Sequence, residues 1–478
     1  MRTGVTPLSP QLSPQDTVER ILALSRADAC VVILTEGSSV NLRWATSSLT
    51  TNGRVRSRDI SVIAGIDGGG GMSTGAVHRS AVRKEQLEDL VRAAEAAARE
   101  AEPAEDARAL PTPAEAPPAG DWAHAAGETS MGVFTAFAGD LGRAFDAARR
   151  GGRRWYGFAE HDISTVYLGT STGVRLRHEQ RTGRFEVNGK SDSGSVWVGR
   201  GVPDFRQVDV DEIDAEVVRR LGWAGRTVAL PAGQYETILP PSAVADLLLY
   251  AYWNMSAREA VEGRTVFSSP GGGTRLGEQL STLPLTLRSD PRLPGIACTP
   301  FVVAASSSAV ASVYDNGLAL SPTTWLDRGR LTALQQTRHT AALTQLPVTP
   351  PIDNLLLEAP TAPHASGEPA VGVDDLVART DRGLLLTCLW YIREVDPVTL
   401  LLTGLTRDGV YLVEDGQVVG AVNNFRFNES PVALLGRVTE AGASVPALGR
   451  EFGEYFPHVV APPLRVRDFN MSSTSQAS

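Results

Sequence analysis

The sequence predicts an α+β protein with three domains. We assign residues 1–102 to an N-terminal α/β domain, 121–230 to a small central β-rich domain, and 231–478 to a larger β-rich C-terminal domain that opens with a long helix. Two patterns predict this class: helical spacing of apolar residues early in the chain, and alternating or strongly apolar strands later. At 478 residues the chain is long enough for two to four domains with cores of their own.

The N-terminal domain is predicted to hold a helix, several strands and a second helix. Apolar residues recur at helical spacing over 16–26 and again over 82–101, which is rich in Ala, Glu and Arg. The residues between them, 29–67, have strand character. The Asn-Gly pair at Asn52 is the predicted hairpin turn, because this pair favours the tight turns that join antiparallel strands.

A linker and a β meander are predicted next. Residues 103–120 are mainly Ala, Glu and Pro with almost no large apolar residue, so they cannot build a core of their own. Residues 129–149 and 211–221 have helical spacing. Between them, 155–207 alternate polar and apolar residues, which predicts an antiparallel meander.

The C-terminal domain is predicted to begin with one long helix. A Pro-Pro-Ser sequence at Pro240 opens it, and Gly263 is placed to end it. The later part of the domain is strongly β in character. Asp-Gly pairs beginning at Asp408 and Asp415 predict two hairpin turns there.

The charge and the apolar pattern exclude several classes of protein. The formal net charge is −9, and the one basic cluster is the short Arg-Arg-Gly-Gly-Arg-Arg run at 149–154, so no direct nucleic-acid binding is expected. No run of 18 apolar residues occurs, and the N-terminus lacks the apolar region of a secretory signal. The chain is therefore not expected to be associated with a membrane.

The cysteines indicate the compartment. Cys30, Cys298 and Cys388 lie far apart and form no C-x-x-C pair, which argues against a disulfide framework or a zinc ribbon. This usage fits a reducing cytoplasm, which is the predicted location. Cys388 lies in an apolar strand, where we expect a buried structural thiol rather than a reactive one.

Two glycine runs resemble phosphate-binding loops only superficially. Gly68–Gly71 lacks the lysine of a P-loop, and Gly271–Gly273 follows a helix instead of preceding one. We interpret both as flexible loops.

No metal or catalytic motif stands out from the residues themselves. His178-Glu179 is the one His-Glu pair, but Thr182 and Gly183 occupy the positions where a second histidine ligand would be needed. The segment from Glu160 through His161 to Asp162 has residue types suited to acid–base chemistry without a motif around it. No nucleophile elbow, a G-x-S-x-G turn that joins a strand to a helix, is predicted. The residues themselves therefore predict no catalytic group.

Three segments nevertheless resemble the TldD/PmbA family, and most closely its TldE (PmbA) branch. They are residues 240–267 (beginning PPSAVADLLLYAYWNMSAREA), 388–435 (beginning CLWYIREVDPVTLLLTGLTRDG) and 459–473 (VVAPPLRVRDFNMSS). The resemblance extends over most of the chain beyond residue 15. It implies an N-terminal α/β domain, a small central domain and a larger β-rich C-terminal domain.

The resemblance also implies that a zinc site has been lost. In the TldD branch, a helix carries H-E-x-x-x-H; two histidines and a C-terminal cysteine bind zinc, and the glutamate acts as general base. Tyr250, Ala251 and Met255 stand at the three motif positions here, and no cysteine follows Cys388. None of these side chains suits that chemistry, so no metal ligand, no catalytic residue and no cofactor is expected in this chain.

The function implied by the resemblance is that of a non-catalytic, TldE-like subunit. It would pair with a zinc-bearing TldD-like paralogue, help form a chamber and help bind unfolded proteins or peptides, which can add as strands to sheet edges. Family names also mention DNA gyrase modulation and microcin or antitoxin processing. Two alternatives stay open: a stand-alone regulatory or peptide-binding protein, such as a homodimer, and a metal-free hydrolase using Glu160 or His161.

Overall fold

The computed structural model describes residues 12–359 and 371–475. It contains both helices and strands, as expected of an α+β chain. In the first half of the chain, the elements are α1 (Pro14–Leu24), β1 (Ala29–Ala45), β2 (Ser48–Asp67), β3 (Met72–Ser80), α2 (Leu87–Glu100), α3 (Thr135–Arg150), β4 (Arg154–Thr170), β5 (Arg175–Ser191), β6 (Gly194–Gly201) and α4 (Val210–Trp223). The four helices and the meander predicted for this half are confirmed, with shifts of a few residues at their ends.

These strands form one antiparallel sheet in the order β3-β2-β1-β4-β5-β6. Strand β1 pairs with β4 from Val31 opposite Thr170 to Trp44 opposite Gly157. The segments predicted as separate N-terminal and central domains therefore share a sheet. Two apolar clusters lie along it, one formed with α1 and α2 and the other with α3 and α4.

The hairpin between β1 and β2 turns at Thr46 and Ser47, so the prediction of a turn at Asn52 is wrong. Asn52 lies inside β2, opposite Leu42 of β1. Thr46 and Ser47 adopt positive φ angles of 49° and 56°. Contacts from β4 fix this turn: the N–H of Ser47 donates to the carbonyl of Trp155 at 2.9 Å, and the N–H of Trp155 donates to Ser47 Oγ at 3.0 Å.

The predicted linker lies against both halves of the molecule. Ala104 N–H donates to the carbonyl of Met72 at 2.8 Å, which fixes the segment to β3. Arg338 donates to the carbonyl of Ala109 at 2.9 Å from the C-terminal half. Leu110, the large apolar side chain of the segment, is buried. The linker therefore follows a defined path although it builds no core of its own.

The C-terminal half contains short strands arranged in two further sheets among the described residues, ordered β11-β10-β9-β12-β21-β20 and β14-β15-β18-β22-β8-β13-β16-β17-β7, with β19 on β22. Its elements are β7 (Thr227–Val228), β8 (Gly233–Leu239), α5 (Pro241–Trp253), α6 (Ala257–Val261), β9 (Thr286–Ser289), β10 (Thr323–Asp327), β11 (Arg330–Leu331), α7 (Arg338–Thr344), β12 (Leu355–Glu358), α8 (Val373–Ala378), β13 (Arg382–Leu386), β14 (Trp390–Asp396), β15 (Leu401–Leu405), β16 (Val410–Glu414), β17 (Gln417–Val422), β18 (Phe425–Glu429), α9 (Pro431–Leu435), β19 (Val438–Ala441), β20 (Val445–Ala447), β21 (Val459–Ala461) and β22 (Leu464–Thr474).

The predicted long helix is two helices, because it is interrupted after Trp253. Gln335 accounts for the break: its N–H donates to the carbonyl of Met255 at 2.7 Å and its side-chain amide to the carbonyl of Tyr252 at 2.9 Å. The Ser256 side chain then caps α6. Gly263, with a φ of 77°, ends the second helix rather than a continuous one.

One of the two predicted Asp-Gly hairpins is confirmed. Asp415 and Gly416 have φ angles of 48° and 75° and join the paired strands β16 and β17. Asp408 has a φ of 65°, but it joins β15 to β16, which are not neighbours; β16 pairs with β13 instead. That hairpin prediction is therefore wrong.

The two glycine runs are turns in this fold. Gly68–Gly71 joins β2 to β3, where the N–H of Gly68 donates to the carbonyl of Gly71 at 3.3 Å. Gly271–Gly273 follows α6, and no atom lies near enough to any of the three to be touched by an added Cβ. No helix in the described part of the chain has the length and apolar character needed to cross a membrane.

Candidate functional site

Of the three positions aligned with the H-E-x-x-x-H motif, Tyr250 and Ala251 lie in the last turn of α5 and Met255 follows just after it. The three side chains face different surroundings. Tyr250 packs against Phe452, with 5.6 Å between the ring centroids, whereas Ala251 and Met255 line an apolar cavity of about 50 Å³. Burial raises the pKa of Tyr250, which keeps its phenol protonated. A phenol, a methyl group and a thioether do not form a zinc ligand set. Within residues 12–359 and 371–475, no group of three or more His, Cys, Asp or Glu side chains is placed to hold a metal ion.

A buried carboxylate one turn earlier on α5 fixes the segment that covers Tyr250. Asp246 is fully buried and accepts hydrogen bonds from the backbone N–H groups of Arg450, Glu451 and Phe452, at 2.9, 3.2 and 3.0 Å. Burial raises the pKa of Asp246 to about 7, and the three N–H donors oppose that rise. Gly449 is needed beside it, because an added Cβ would lie 2.3 Å from Asp246 Oδ1.

A large cleft opens where this segment faces the six-stranded sheet. One cavity of about 610 Å³ lies between β4–β6, β14 and residues 450–455, and a second of about 250 Å³ adjoins it. The two share Arg184 and Glu454 in their walls, and we call them together the groove. Its aromatic walls are Phe158, Trp197, Trp390, Tyr391, Phe452 and Tyr455.

Two of these aromatic side chains are open to solvent. Tyr391 is 52% exposed and Tyr455 is 74% exposed. Tyr391 has a left-handed φ of 51°, an unfavourable conformation for a bulky residue. Glu451 holds it there by accepting from the Tyr391 N–H at 3.0 Å and from Arg393 at 2.8 Å. The exposed ring is therefore held in place at the mouth of the groove.

Arg450 forms the floor of the groove on the C-terminal side. Its guanidinium donates to Asp408 at 2.8 Å and to Cys388 Sγ at 3.1 Å, and it lies 4.5 Å from the ring centroid of Trp390. Asp408 also accepts from the hydroxyl of Ser195 on β6, so this cluster joins the two halves of the molecule. Cys388 is fully buried, as predicted, and burial raises its pKa. The thiol is structural.

Arg184 on β5 is the centre of a second charged cluster. It lies 3.1 Å from Glu160, 3.7 Å from Glu186 and 3.4 Å from Glu454, and its guanidinium lies 4.7 Å from the ring centroid of Phe158. One guanidinium therefore faces three carboxylates. Glu186 accepts a further hydrogen bond from Trp197 Nε1 at 3.1 Å. Burial raises the pKa of Glu186 despite these partners.

The structure separates the Glu160, His161 and Asp162 side chains that the sequence places together. Glu160 and Asp162 both line the smaller cavity of the groove, because alternate residues of a strand share a face. His161 points to the other face, where its Nδ1 lies 2.8 Å from Thr129 Oγ1. Burial lowers the pKa of His161 and raises that of Asp162. No acid–base pair with the histidine forms on the groove side.

The His178-Glu179 pair, for which the sequence predicts no zinc site, makes contacts within β5. His178 lies in β5 with its Nε2 3.0 Å from Gln180 Oε1. The neighbouring Glu179 pairs with Arg177 and Arg181 at 2.7 and 3.2 Å. Both side chains of this pair therefore have partners within the sheet.

Sequence reasoning missed Asp246, which lies behind the groove wall, and most residues of the groove itself. Asp246 carried one detectable signal, since it is a lone acidic residue within an apolar helix. Arg184, Glu186 and Arg450 carried none, because a charged residue in an alternating strand or a loop is ordinarily solvent-exposed.

Comparisons with known proteins identify the family and the fold. Residues 232–473 match the model of the PmbA/TldA metallopeptidase C-terminal domain. TldE from Thermococcus kodakarensis has a similar structure, with a TM-score of 0.75 at 15% identity over 95% of this chain and 99% of that one. A putative modulator of a DNA gyrase from Thermotoga maritima has a TM-score of 0.72 at 14% identity, over 95% and 99%. A search of curated proteins found no match. At these identities, the two structures demonstrate a shared fold.

Proposed function

The chain belongs to the PmbA/TldD metallopeptidase family, and on that premise we propose that it is the zinc-less, TldE-like subunit of a heteromeric metalloprotease. In this function, a zinc-bearing TldD-like paralogue hydrolyses unfolded proteins or peptides. The present chain helps to form the chamber and to bind the substrate. The observation that carries the proposal is the end of α5, where Tyr250, Ala251 and Met255 offer no zinc-binding chemistry.

The groove supports a role in substrate binding. It adjoins the end of α5 through Phe452, which lies in its wall and packs on Tyr250. Aromatic side chains and a few charged groups in a concave site are the usual composition of a binding pocket. A chain without a metal site would thus still hold a peptide close to the position that corresponds to the zinc motif.

The composition supports the remaining parts of the proposal. Zinc is assigned to the partner, and no cofactor to this chain. A net charge of −9 gives no reason to expect nucleic-acid binding. The three cysteines are unpaired and buried, in keeping with a reducing cytoplasm.

Zinc content and complex formation test this proposal directly. The chain is purified alone and after co-expression with a TldD-like paralogue from the same genome, and both samples are measured for zinc and peptidase activity. We expect the chain alone to lack zinc and activity, and the complex to contain both. A partner in which the motif glutamate is replaced by glutamine is the control, and its complex should form without hydrolysing peptide. Near-stoichiometric zinc in the isolated chain would contradict the proposal.

A stand-alone peptide-binding protein is the second candidate, and one observation favours it. The two halves of this chain together form the concave groove, whose larger cavity is about 610 Å³, so the chain itself offers a binding site. Size-exclusion chromatography with the paralogue separates the two functions. If the proteins elute separately and this chain forms a homodimer, the stand-alone function is supported.

A further inference from the structure

We infer that the groove binds a cationic segment of an extended peptide, with an arginine or lysine side chain placed among the carboxylates around Arg184. This inference rests on the proposed function in one respect, since it takes a peptide as the ligand. It goes further by specifying the chemical class of peptide and the residues that select it.

The balance of charge in the groove is the first argument. Among the described residues, five carboxylates line the two cavities (Glu160, Asp162, Glu186, Glu451 and Glu454), against three guanidinium groups (Arg184, Arg393 and Arg450). Arg450 is already paired with Asp408, and Arg393 with Glu451. Arg184 is the guanidinium paired with Glu160, Glu186 and Glu454, and Arg450 adds a weaker attraction to Glu186. The groove is short of positive charge where its two cavities meet.

The pKa values of two carboxyl groups in the groove agree with this shortage of positive charge. Burial raises the pKa of Glu186, and repulsion from Glu454 raises it further. Burial also raises the pKa of Asp162, and repulsion from Glu160 adds to that rise. A cation that entered the groove would favour the charged forms of both groups. An acidic peptide would meet repulsion instead.

The aromatic walls are the second argument, and they favour a guanidinium or ammonium group. The guanidinium groups of Arg184 and Arg450 already lie over Phe158 and Trp390, at 4.7 and 4.5 Å from the ring centroids. The exposed rings of Tyr391 and Tyr455 offer the same kind of face to a cation from solution. A divalent metal does not fit, because the described carboxylates form no group placed to hold one.

The inference is tested with three labelled, unstructured peptides that differ only in carrying arginine, lysine or glutamate at the same positions. Fluorescence anisotropy measures their binding to the purified chain without any partner. We expect the arginine and lysine peptides to bind at least about tenfold more tightly than the glutamate peptide, with affinity falling as salt is added. Equal affinity for the three peptides would overturn the inference.

Matched variants locate the binding to the groove. In the double variant Glu186→Gln with Asp162→Asn, the amides preserve shape, and the new Gln side chain still accepts from Trp197. We expect this variant to lose about tenfold in affinity for the arginine peptide. The control is Glu88→Gln with Asp89→Asn, which makes the same change in charge on exposed positions of α2. Equal losses in the two double variants would overturn the inference.

Substitution of one exposed residue gives a test that does not depend on whether the double variant folds. The Glu454 side chain is 62% exposed, so Glu454→Gln should leave the fold intact and still weaken binding of the arginine peptide. Unchanged binding in this variant would contradict the inference. The measurement uses the isolated chain and no proteolysis, so its failure would leave the proposed subunit function standing. Zinc in the isolated chain would refute that function without deciding peptide binding.

Discussion

The carboxylate of Asp246 in α5 accepts a 3.0 Å hydrogen bond from the backbone N–H of Phe452, a residue that lies 206 positions later in the chain. This contact joins the helix that corresponds to the zinc motif to the segment that forms one wall of the groove. Phe452 also packs on Tyr250, with 5.6 Å between the ring centroids. The buried carboxylate of Asp246 is therefore one of the contacts that position the groove wall.

Asp246→Ala should destabilise the chain by about 3 kcal/mol, because three backbone N–H groups would lose their acceptor in a buried position. Urea denaturation measures the change. Asp381→Ala is the control, since this aspartate is exposed, and its effect should stay within about 0.5 kcal/mol. A loss below about 1 kcal/mol for Asp246→Ala would show that the loop is held by other contacts.

Arg450→Gln should cost about 3 kcal/mol in the free energy of unfolding, because it removes the nearer guanidinium partner of the buried Asp408 and leaves Arg407 at 3.7 Å. The Arg450 and Asp408 side chains are both 8% exposed. Adding Asp408→Asn to this variant should restore part of the loss, since the poorly compensated buried charge is removed. A double-mutant cycle in urea gives the coupling energy, and strictly additive effects would contradict the pairing.

Gly53→Ala should be neutral or stabilise the chain by up to about 1 kcal/mol, because Gly53 lies within β2 and not in a turn. An added Cβ would meet the Asn41 side chain at an ordinary 3.5 Å. Gly416→Ala is the matched comparison. It should destabilise by more than about 1 kcal/mol, because Gly416 has a φ of 75° and the Cβ would lie 2.7 Å from the carbonyl of Ala378. If Gly53→Ala lowered the melting temperature more than Gly416→Ala does, the first hairpin turn would lie at Asn52 and not at Thr46 and Ser47.

Glu186 should make the unfolding free energy fall as the pH rises. Burial raises its pKa above the ordinary value of 4.5, so the folded chain holds this proton more tightly than the unfolded chain does. Its contribution is complete below the ordinary value and is lost as the pH rises through the raised one. The free energies of unfolding of the natural chain and of Glu186→Gln are measured from acid to neutral pH. That of the natural chain should fall more steeply as the pH rises, and Glu88→Gln is the control. Parallel curves for the natural chain and Glu186→Gln would contradict the predicted shift.

Local sequence determined the elements whose structure depends on near neighbours. The helices α1 to α4 and the β4–β6 meander follow from the spacing of apolar residues, and the turn at Asp415 follows from an Asp-Gly pair. The burial of Cys388 agrees with the apolar residues around it, although Cys388 lies between β13 and β14 and not in a strand as predicted. The family followed from three segments of the sequence, and the match over 232–473 confirms it.

The tertiary structure decided every feature that depends on distant residues. Trp155 fixes the first hairpin at Ser47 rather than Asn52, and Gln335 ends α5 by binding carbonyls that a longer helix would have used. The groove joins Arg184 to Glu454, which are far apart in the chain. The hydrogen bonds at Ser47 and Gln335 override local propensity because they satisfy polar groups in buried positions. No local pattern encodes the partners of these residues or of Arg184.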